Sequence, residues 1–371
     1  MQNTIRTIPP FRADHVGSLL RAPSLKEARG RRERGEISAD DLRAEENAAI
    51  ERIIARQAEI GMRSATDGEF RRAMWHFDFL EHLDGVESFR SDHGIAFKGG
   101  IETQAKGLRV VGKVGFSSHP MIEHFTFLRD RTKATPKMTI PSPSVLHFRG
   151  GRRAISRDIY PDMEEFYRDL AQAYRGAVKA FADAGCRYLQ LDEVNLAYLC
   201  DPEQRKMLAE RGDDPDRLPD IYAQMINTAI EGRPADMVIT MHLCRGNFRS
   251  SWIAQGGYEP VAEILFNQIG VNGYFMEFDS ERAGGFEPLR FVPKNKQVVL
   301  GLVTSKSGAL EPAEELQRRI DSAAQFVGLD QLCLSPQCGF ASTEEGNVLT
   351  EDEQWGKLAR IVEVAHKVWG D

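Results

Sequence analysis

The feature that most constrains this chain is an alternation. Short runs rich in β-branched and apolar residues recur, and longer stretches with apolar residues at helical spacing lie between several of them. The runs are His15–Ser18, Met62–Asp67, Lys137–Pro141, Arg187–Asp192, Met237–Leu243, Gly273–Phe278, Gln297–Val303 and Gln331–Ser335. Over Met163–Ala184, residues Met163, Phe166, Tyr167, Leu170, Tyr174, Val178 and Phe181 follow a period of about 3.6. Pro312–Val327 repeats the pattern, with Pro312 suited to a first helical turn, and Trp355–Val368 closes the chain the same way. Strands that alternate with helices pair in parallel, because parallel neighbours need crossover connections. Eight such units close a (β/α)8 TIM barrel, and that is the α/β fold predicted. An open doubly wound sheet is the alternative, but its Gly-rich phosphate loop, GxGxxG, does not occur here. Gly85–Gly115 fits neither helix nor crossover. Its segments GVESFRSDHG, IAFKGGIETQ and LRVVGKV read as antiparallel strands. Residues 86–115 are therefore predicted to form a β-hairpin excursion after the second strand of a single barrel domain spanning residues 1–371.

Composition removes several classes of function. The 48 Lys+Arg against 55 Asp+Glu leave a net charge of −7, without the basic excess of a nucleic-acid protein. No run approaches the ~18 apolar residues of a membrane span. Met1–Arg12 (MQNTIRTIPPFR) has no signal-like apolar run. The 5 cysteines form an odd, sparse set, which points to reduced thiols and a cytoplasmic setting.

The chemistry-bearing residues stand where the predicted strands end. The second strand runs into Asp67, Gly68 and Glu69, and the fourth into Asp192 and Glu193. The fifth ends in His242 and Cys244, the sixth contains Glu277, and the loop after the eighth holds Cys338. Barrel enzymes build their sites from the C-terminal ends of their strands. Residues i and i+2 of a strand share a face, so His242 and Cys244 can bind one metal ion. Glu277 and Cys338 would complete four ligands of types that zinc accepts. Taken singly, each also fits core packing or a salt bridge.

Together these residues resemble a known family. The HxC of MHLCRGNF, the glutamate of FMEFDSER, the cysteine of LSPQCGF and the acidic pair of LQLDEVN resemble cobalamin-independent methionine synthase. The chain is most similar to its short relatives, which correspond to the catalytic C-terminal half of the long enzyme. HVGSLLR and TDGEFRR fit the same pattern, and the resemblance runs from about Asp14 to the C-terminus. It implies a Zn2+ enzyme that transfers a methyl group to a small thiol, homocysteine above all, with His242, Cys244, Glu277 and Cys338 on the metal. In the family, the residues matching Glu69 and Asp192 hold the amino group of homocysteine, and Glu193 is grouped with them. Gly17 and Ser18 match the loop that binds its carboxylate, although Ser18 also suits a helix N-cap. Structural ion pairing is the alternative for Glu69 and Asp192.

The sequence departs from the family on the methyl-donor side. Thr304 stands near the place of a histidine, and His147 or Phe148 replaces a tryptophan that stacks on folate. A methyl-folate, a protein-borne methyl-cobalamin and other electrophiles all stay open as donors. Alkyl transfer to coenzyme M, as in epoxyalkane–coenzyme M transferase, is the second reading. A sulfonate acceptor would need arginines, and Arg21, Arg71, Arg72 and Arg245 are the candidates. A barrel that binds a ligand without turnover, and a uroporphyrinogen-decarboxylase-type barrel that needs no zinc, are further alternatives. Pairing of two barrels through outer helices is compatible with the sequence.

Overall fold

The computed structural model describes residues 5–370; residues 1–4 and 371 lie outside it. Twelve strands occur among the described residues. They are β1 (Ser64–Ala65), β2 (Asp84–Arg90), β3 (Ala96–Phe97), β4 (Ile101–Glu102), β5 (Lys106–Gly115), β6 (Thr135–Pro136), β7 (Met138–Pro141), β8 (Tyr188–Glu193), β9 (Val238–Leu243), β10 (Gly273–Glu277), β11 (Gln297–Val303) and β12 (Leu332–Pro336). Strands β7 to β12 form one parallel sheet in chain order. Strand β6 leads into β7 and pairs in parallel with β1. The helices that serve the argument are α1 (Pro23–Glu33), α2 (Ala39–Glu59), α3 (Ser144–Gly150), α4 (Met163–Asp183), α5 (Asn195–Tyr198), α6 (Ala313–Ala323) and α7 (Glu351–Trp369). This is a TIM-barrel-like α/β fold. Its long crossover helices bury one apolar stripe each, as Phe166, Leu170, Tyr174, Val178 and Phe181 do on α4.

No strand forms at His15–Ser18. The N-terminal segment pairs earlier, through a parallel bridge between Ala13 and Leu334. The Asp14 N–H donates to the Leu334 carbonyl (3.0 Å), and the Leu334 N–H donates to that of Arg12 (2.8 Å). Two local causes end the extended run. The Asp14 carboxylate accepts the N–H groups of Phe11 (3.1 Å) and His15 (2.8 Å). Gly17 then sits at φ 141°, where an added Cβ would lie 2.7 Å from the Thr139 methyl. The second predicted strand shrinks to Ser64–Ala65 because Gly68 (φ 65°) and Glu69 (φ 60°) turn the chain. These two segments meet. The Leu19 N–H donates to the Gly68 carbonyl (3.1 Å), and the Thr66 hydroxyl donates to the Gly17 carbonyl (2.6 Å).

Residues 84–115 hold two antiparallel pairs, β2 with β5 and, at the tip, β3 with β4. The tip leans on the opposite rim. The Lys98 N–H donates to the Trp252 carbonyl (2.8 Å), Ser251 Oγ donates to the Lys98 carbonyl (2.5 Å), and the Phe97 and Phe248 rings lie 5.3 Å apart.

The N-terminal side of the sheet encloses a polar plug. Lys137 and Asp14 pair at 3.4 Å with both side chains fully buried. Lys137 also donates to the His15 carbonyl (2.6 Å), and Tyr188 donates its hydroxyl to Asp14 (2.8 Å). The Lys137 ammonium stands 3.9 Å from the Phe275 ring centre. His15, whose pKa burial and Lys137 lower to about 4, meets Gln57 at 3.0 Å.

Candidate metal centre and cavity

At the opposite, C-terminal ends of the strands, β9 presents His242 and leads into Cys244, β10 ends on Glu277, and Cys338 follows β12. All four are buried. One ligand-type atom from each lies within 4.8 Å of the others. The two sulfurs are 3.5 Å apart in an unbridged pair. His242 is the most telling member. Its Nδ1 faces the Phe275 carbonyl at 3.4 Å, while its Nε2, fully buried, has no partner. A ring fixed through one nitrogen and bare at the other is the arrangement of a metal-ligating imidazole. Glu277 is oriented by the Arg245 N–H (3.0 Å) and by Arg282 (3.3 Å). Burial opposes its charge, but Arg282, Lys306 and Arg245 together hold its pKa below the usual value. Hydrogen bonding to Cys338 and burial raise the Cys244 thiol, so a metal ion binding here would displace protons. One imidazole, one carboxylate and two thiols, all buried and at mutual contact, fit zinc.

A small cavity opens on this cluster, and His242, Cys244 and Cys338 line it. Ser18, Glu69 and Asp192 line it as well. The Thr139 hydroxyl donates to Glu69 Oε1 (2.8 Å), and Arg72 stands 3.6 Å from the same oxygen; Glu69 Oε2 is buried without a partner. Burial, opposed by Arg72 and reinforced by Asp192, raises the Glu69 pKa to about 7. The left-handed backbone of Glu69 (φ 60°) is unusual for a residue with a side chain. Asp192 receives a hydrogen bond from Gln190 (2.7 Å), and burial raises its pKa as well.

Two expected positions, Glu193 and Gly17, fall outside the cavity lining. Glu193 does not line the cavity, because neighbouring strand residues face opposite ways. Its carboxylate instead accepts the Asn195 (2.6 Å) and Leu196 (3.0 Å) N–H groups and the Ser144 hydroxyl. Gly17 is outside the lining and lets Thr139 and Glu69 approach. Ser18 lines the cavity but caps no helix; α1 begins at Pro23 after Ala22, and Ser18 Oγ accepts the Ala341 N–H (3.3 Å). Thr304 is occupied in its own loop, its N–H donating to Glu311 (2.8 Å).

The donor side also differs from expectation. His147 turns to Tyr222 (2.8 Å) and Tyr167 (3.1 Å), and Phe148 packs on Tyr198 with ring centres 5.7 Å apart. Neither lines the cavity; Arg149, the next residue of α3, does. None of the four candidate arginines lines it either. Arg21 is consumed by the carbonyls of Ala341, Thr343, Glu69 and Arg72. Arg71 pairs with Glu46 (3.0 Å), Arg72 serves Glu69 and the Thr139 carbonyl (2.6 Å), and Arg245 donates to Tyr258 (2.5 Å). The sequence reading missed Trp75, His76, Phe97, Arg149 and Tyr198 in the lining. Only the aromatic run Trp75-His76-Phe77 beside TDGEFRR was a signal for any of them.

The profile of the catalytic domain of cobalamin-independent synthase matches residues 11–367. The Bacillus subtilis protein YxjH is 54% identical over 362 residues, covering 97% of this chain and 95% of its own. A Bacillus velezensis 5-methyltetrahydropteroyltriglutamate–homocysteine methyltransferase is 24% identical over 352 residues, 93% of this chain but 42% of that longer protein. The crystal structure of a Listeria monocytogenes protein matches with a TM-score of 0.80 and 42% identity, over 99% of this chain and 100% of the other. Among the described residues, no helix is long and apolar enough to cross a membrane. A family profile that spans nearly the whole chain thus meets a thiol-rich cluster at the strand ends, and the chain belongs to the cobalamin-independent methionine synthase family, in its catalytic-domain form.

Proposed function

We propose that this protein transfers a methyl group to the sulfur of homocysteine, with Zn2+ held by His242, Cys244, Glu277 and Cys338. The observation that carries the reading is the shared cavity: two sulfurs, an orphaned imidazole nitrogen and an unpartnered Glu69 oxygen face the same space. Zinc, when bound, keeps a coordinated substrate thiol deprotonated at neutral pH, which is the form that attacks carbon. The chain's own residues do the rest. Glu69 and Asp192 receive the ammonium group of the amino acid and so aim its sulfur at the cluster. Ser18 stands by its carboxylate. Arg282 and the Arg245 N–H steady Glu277 from behind. Ile95, Phe97 and Thr103 of the β3–β4 tip line the cavity.

We also take the run of strands to close as an eight-unit barrel, its first unit reduced to the Ala13 bridge, with residues 86–115 as an excursion over the site. The five free cysteines support a reducing, cytoplasmic setting. The donor is a methyl-folate, a methyl-cobalamin on a carrier protein, or another methyl electrophile. The test is zinc-loaded protein mixed with homocysteine and a panel of such donors, with methionine as the measured product. Methionine formation above the uncatalysed rate is expected with at least one donor. Methylation of coenzyme M but not of homocysteine would overturn the reading.

A further inference from the structure

The cavity is also lined by Trp75, His76, Ile95, Phe97, Arg149 and Tyr198, among others. Three of these residues hold buried polar atoms without a hydrogen-bond partner. His76 is 1% exposed and lies against Trp75 (ring centres 4.5 Å) and Phe77 (4.1 Å), yet neither ring nitrogen has a hydrogen bond. Tyr198 is 2% exposed and its hydroxyl is orphaned. Arg149 Nε is buried and unpartnered, and among the described residues no carboxylate pairs with this guanidinium. Each such group costs about 1–3 kcal/mol when left unpaired inside a protein. Three in one cavity are a built site that awaits an acceptor.

Charge sets the class of ligand. The carboxylates that line the cavity are Glu69 and Asp192. Arg149, Tyr198 and His76 add a guanidinium, a phenol O–H and an imidazole that burial and the charges of Arg149 and Lys106 keep neutral. These three residues therefore offer a cation and several donors, and among the described residues no carboxylate is paired with Arg149.

We propose that Arg149, Tyr198 and His76 recognise an anionic oxygen group on the second substrate, the methyl donor. This rests on the methyl-transfer reading given above. The anion is a carboxylate or a phosphate, which Arg149 binds by charge-assisted hydrogen bonds. The apolar face of Trp75 and the Phe97 ring then bound the part of the donor nearer the metal cluster. The methyl-donor specificity of this chain is thus set from α3 by an arginine.

Trp75 provides a readout that does not depend on turnover. The zinc-loaded full chain is titrated with glutarate (carboxylate), methyl phosphate and neutral N-methylacetamide while tryptophan fluorescence is followed; Trp75→Phe confirms the source of the signal. One of the two anions saturates the signal, which identifies the group, and the amide does not. Arg149→Met weakens that anion by about tenfold, and Tyr198→Phe, a change too small to disturb folding, weakens it by about threefold. Methionine binding is measured on the same samples and stays within about twofold of wild type, which also reports an intact thiol side. The proposal is overturned if neither anion binds, or if Arg149→Met binds it as well as wild type does. It is equally overturned if that variant loses methionine affinity by the same factor, since Arg149 would then serve the acceptor. Failure of homocysteine methylation with anion binding intact would instead fall on the catalytic reading.

Discussion

Two polar clusters are buried at opposite ends of the same sheet, and they are finished differently. In the plug, the charged and phenolic groups are bonded: Asp14 to Lys137, Tyr188 and two backbone N–H groups, and Lys137 also to the His15 carbonyl. In the cavity, His242 Nε2, Glu69 Oε2, both His76 nitrogens and the Tyr198 hydroxyl have nothing to bond to. Burial costs a polar group the same at either end, so partnership distinguishes them. A satisfied cluster holds the fold together. An unsatisfied one is stabilised only when something else enters it.

The comparison breaks first at the metal ligands. Cys244→Ala and Cys338→Ala are each expected to lower bound zinc from about one ion per chain to near zero, and methyl transfer by more than ~10³-fold. Their metal-free forms should lose only about 1 kcal/mol in urea unfolding, since a small buried thiol gives way to a methyl. Elemental analysis with rate measurement checks the first, and denaturation checks the second. Full zinc occupancy in either variant would remove that cysteine from the ligand set.

The plug should respond in the opposite sense. Lys137→Met leaves the Asp14 carboxylate buried without its cation, which costs about 3–5 kcal/mol of stability. Zinc content should be unchanged and activity per folded molecule should fall far less than stability, because Lys137 hydrogen-bonds no cavity residue and reaches Asp192 only through charge. A urea midpoint equal to wild type would show that the plug is not what holds the N-terminal segment in place.

The sequence displayed the catalytic end better than the frame around it. Parallel strands from β8 onward stood within about two residues of the predicted ones, because long apolar runs bounded by helices have a single reading. The first two strands failed because their ends are set by tertiary contacts, Asp14 with backbone N–H groups and Gly17 with Thr139, which no period encodes. The ligand-type residues were legible because HxC on a strand is a face argument that needs no coordinates. Glu193 misled for the same reason: adjacency to Asp192 in sequence means the opposite face in space. Arg149 and Tyr198 were invisible, since a single arginine on a short helix carries no signal until the turn of α3 aims it inward.

Glu69 gives the finest test of the contrast, because its orphan oxygen also sets a pH dependence. Burial raises its pKa to about 7, above the ~4.5 of an exposed glutamate. The folded state therefore binds more protons than the unfolded one between those values, and stability is fully present below pH ~4.5 and declines as pH rises through ~7. Ligand binding runs the other way. The ammonium of methionine is attracted only by the ionised carboxylate, so its affinity should rise about tenfold between pH 6 and pH 8, the change in the ionised fraction across that interval. Glu69→Gln keeps an oxygen for the Thr139 hydroxyl but cannot ionise. It should flatten both slopes at once, with weaker methionine binding at pH 8 and a higher melting temperature there than wild type. Calorimetric titration and thermal unfolding at matched pH measure the two. A variant that lost the binding slope but kept the stability slope would place the titrating group on Asp192, whose pKa burial also raises.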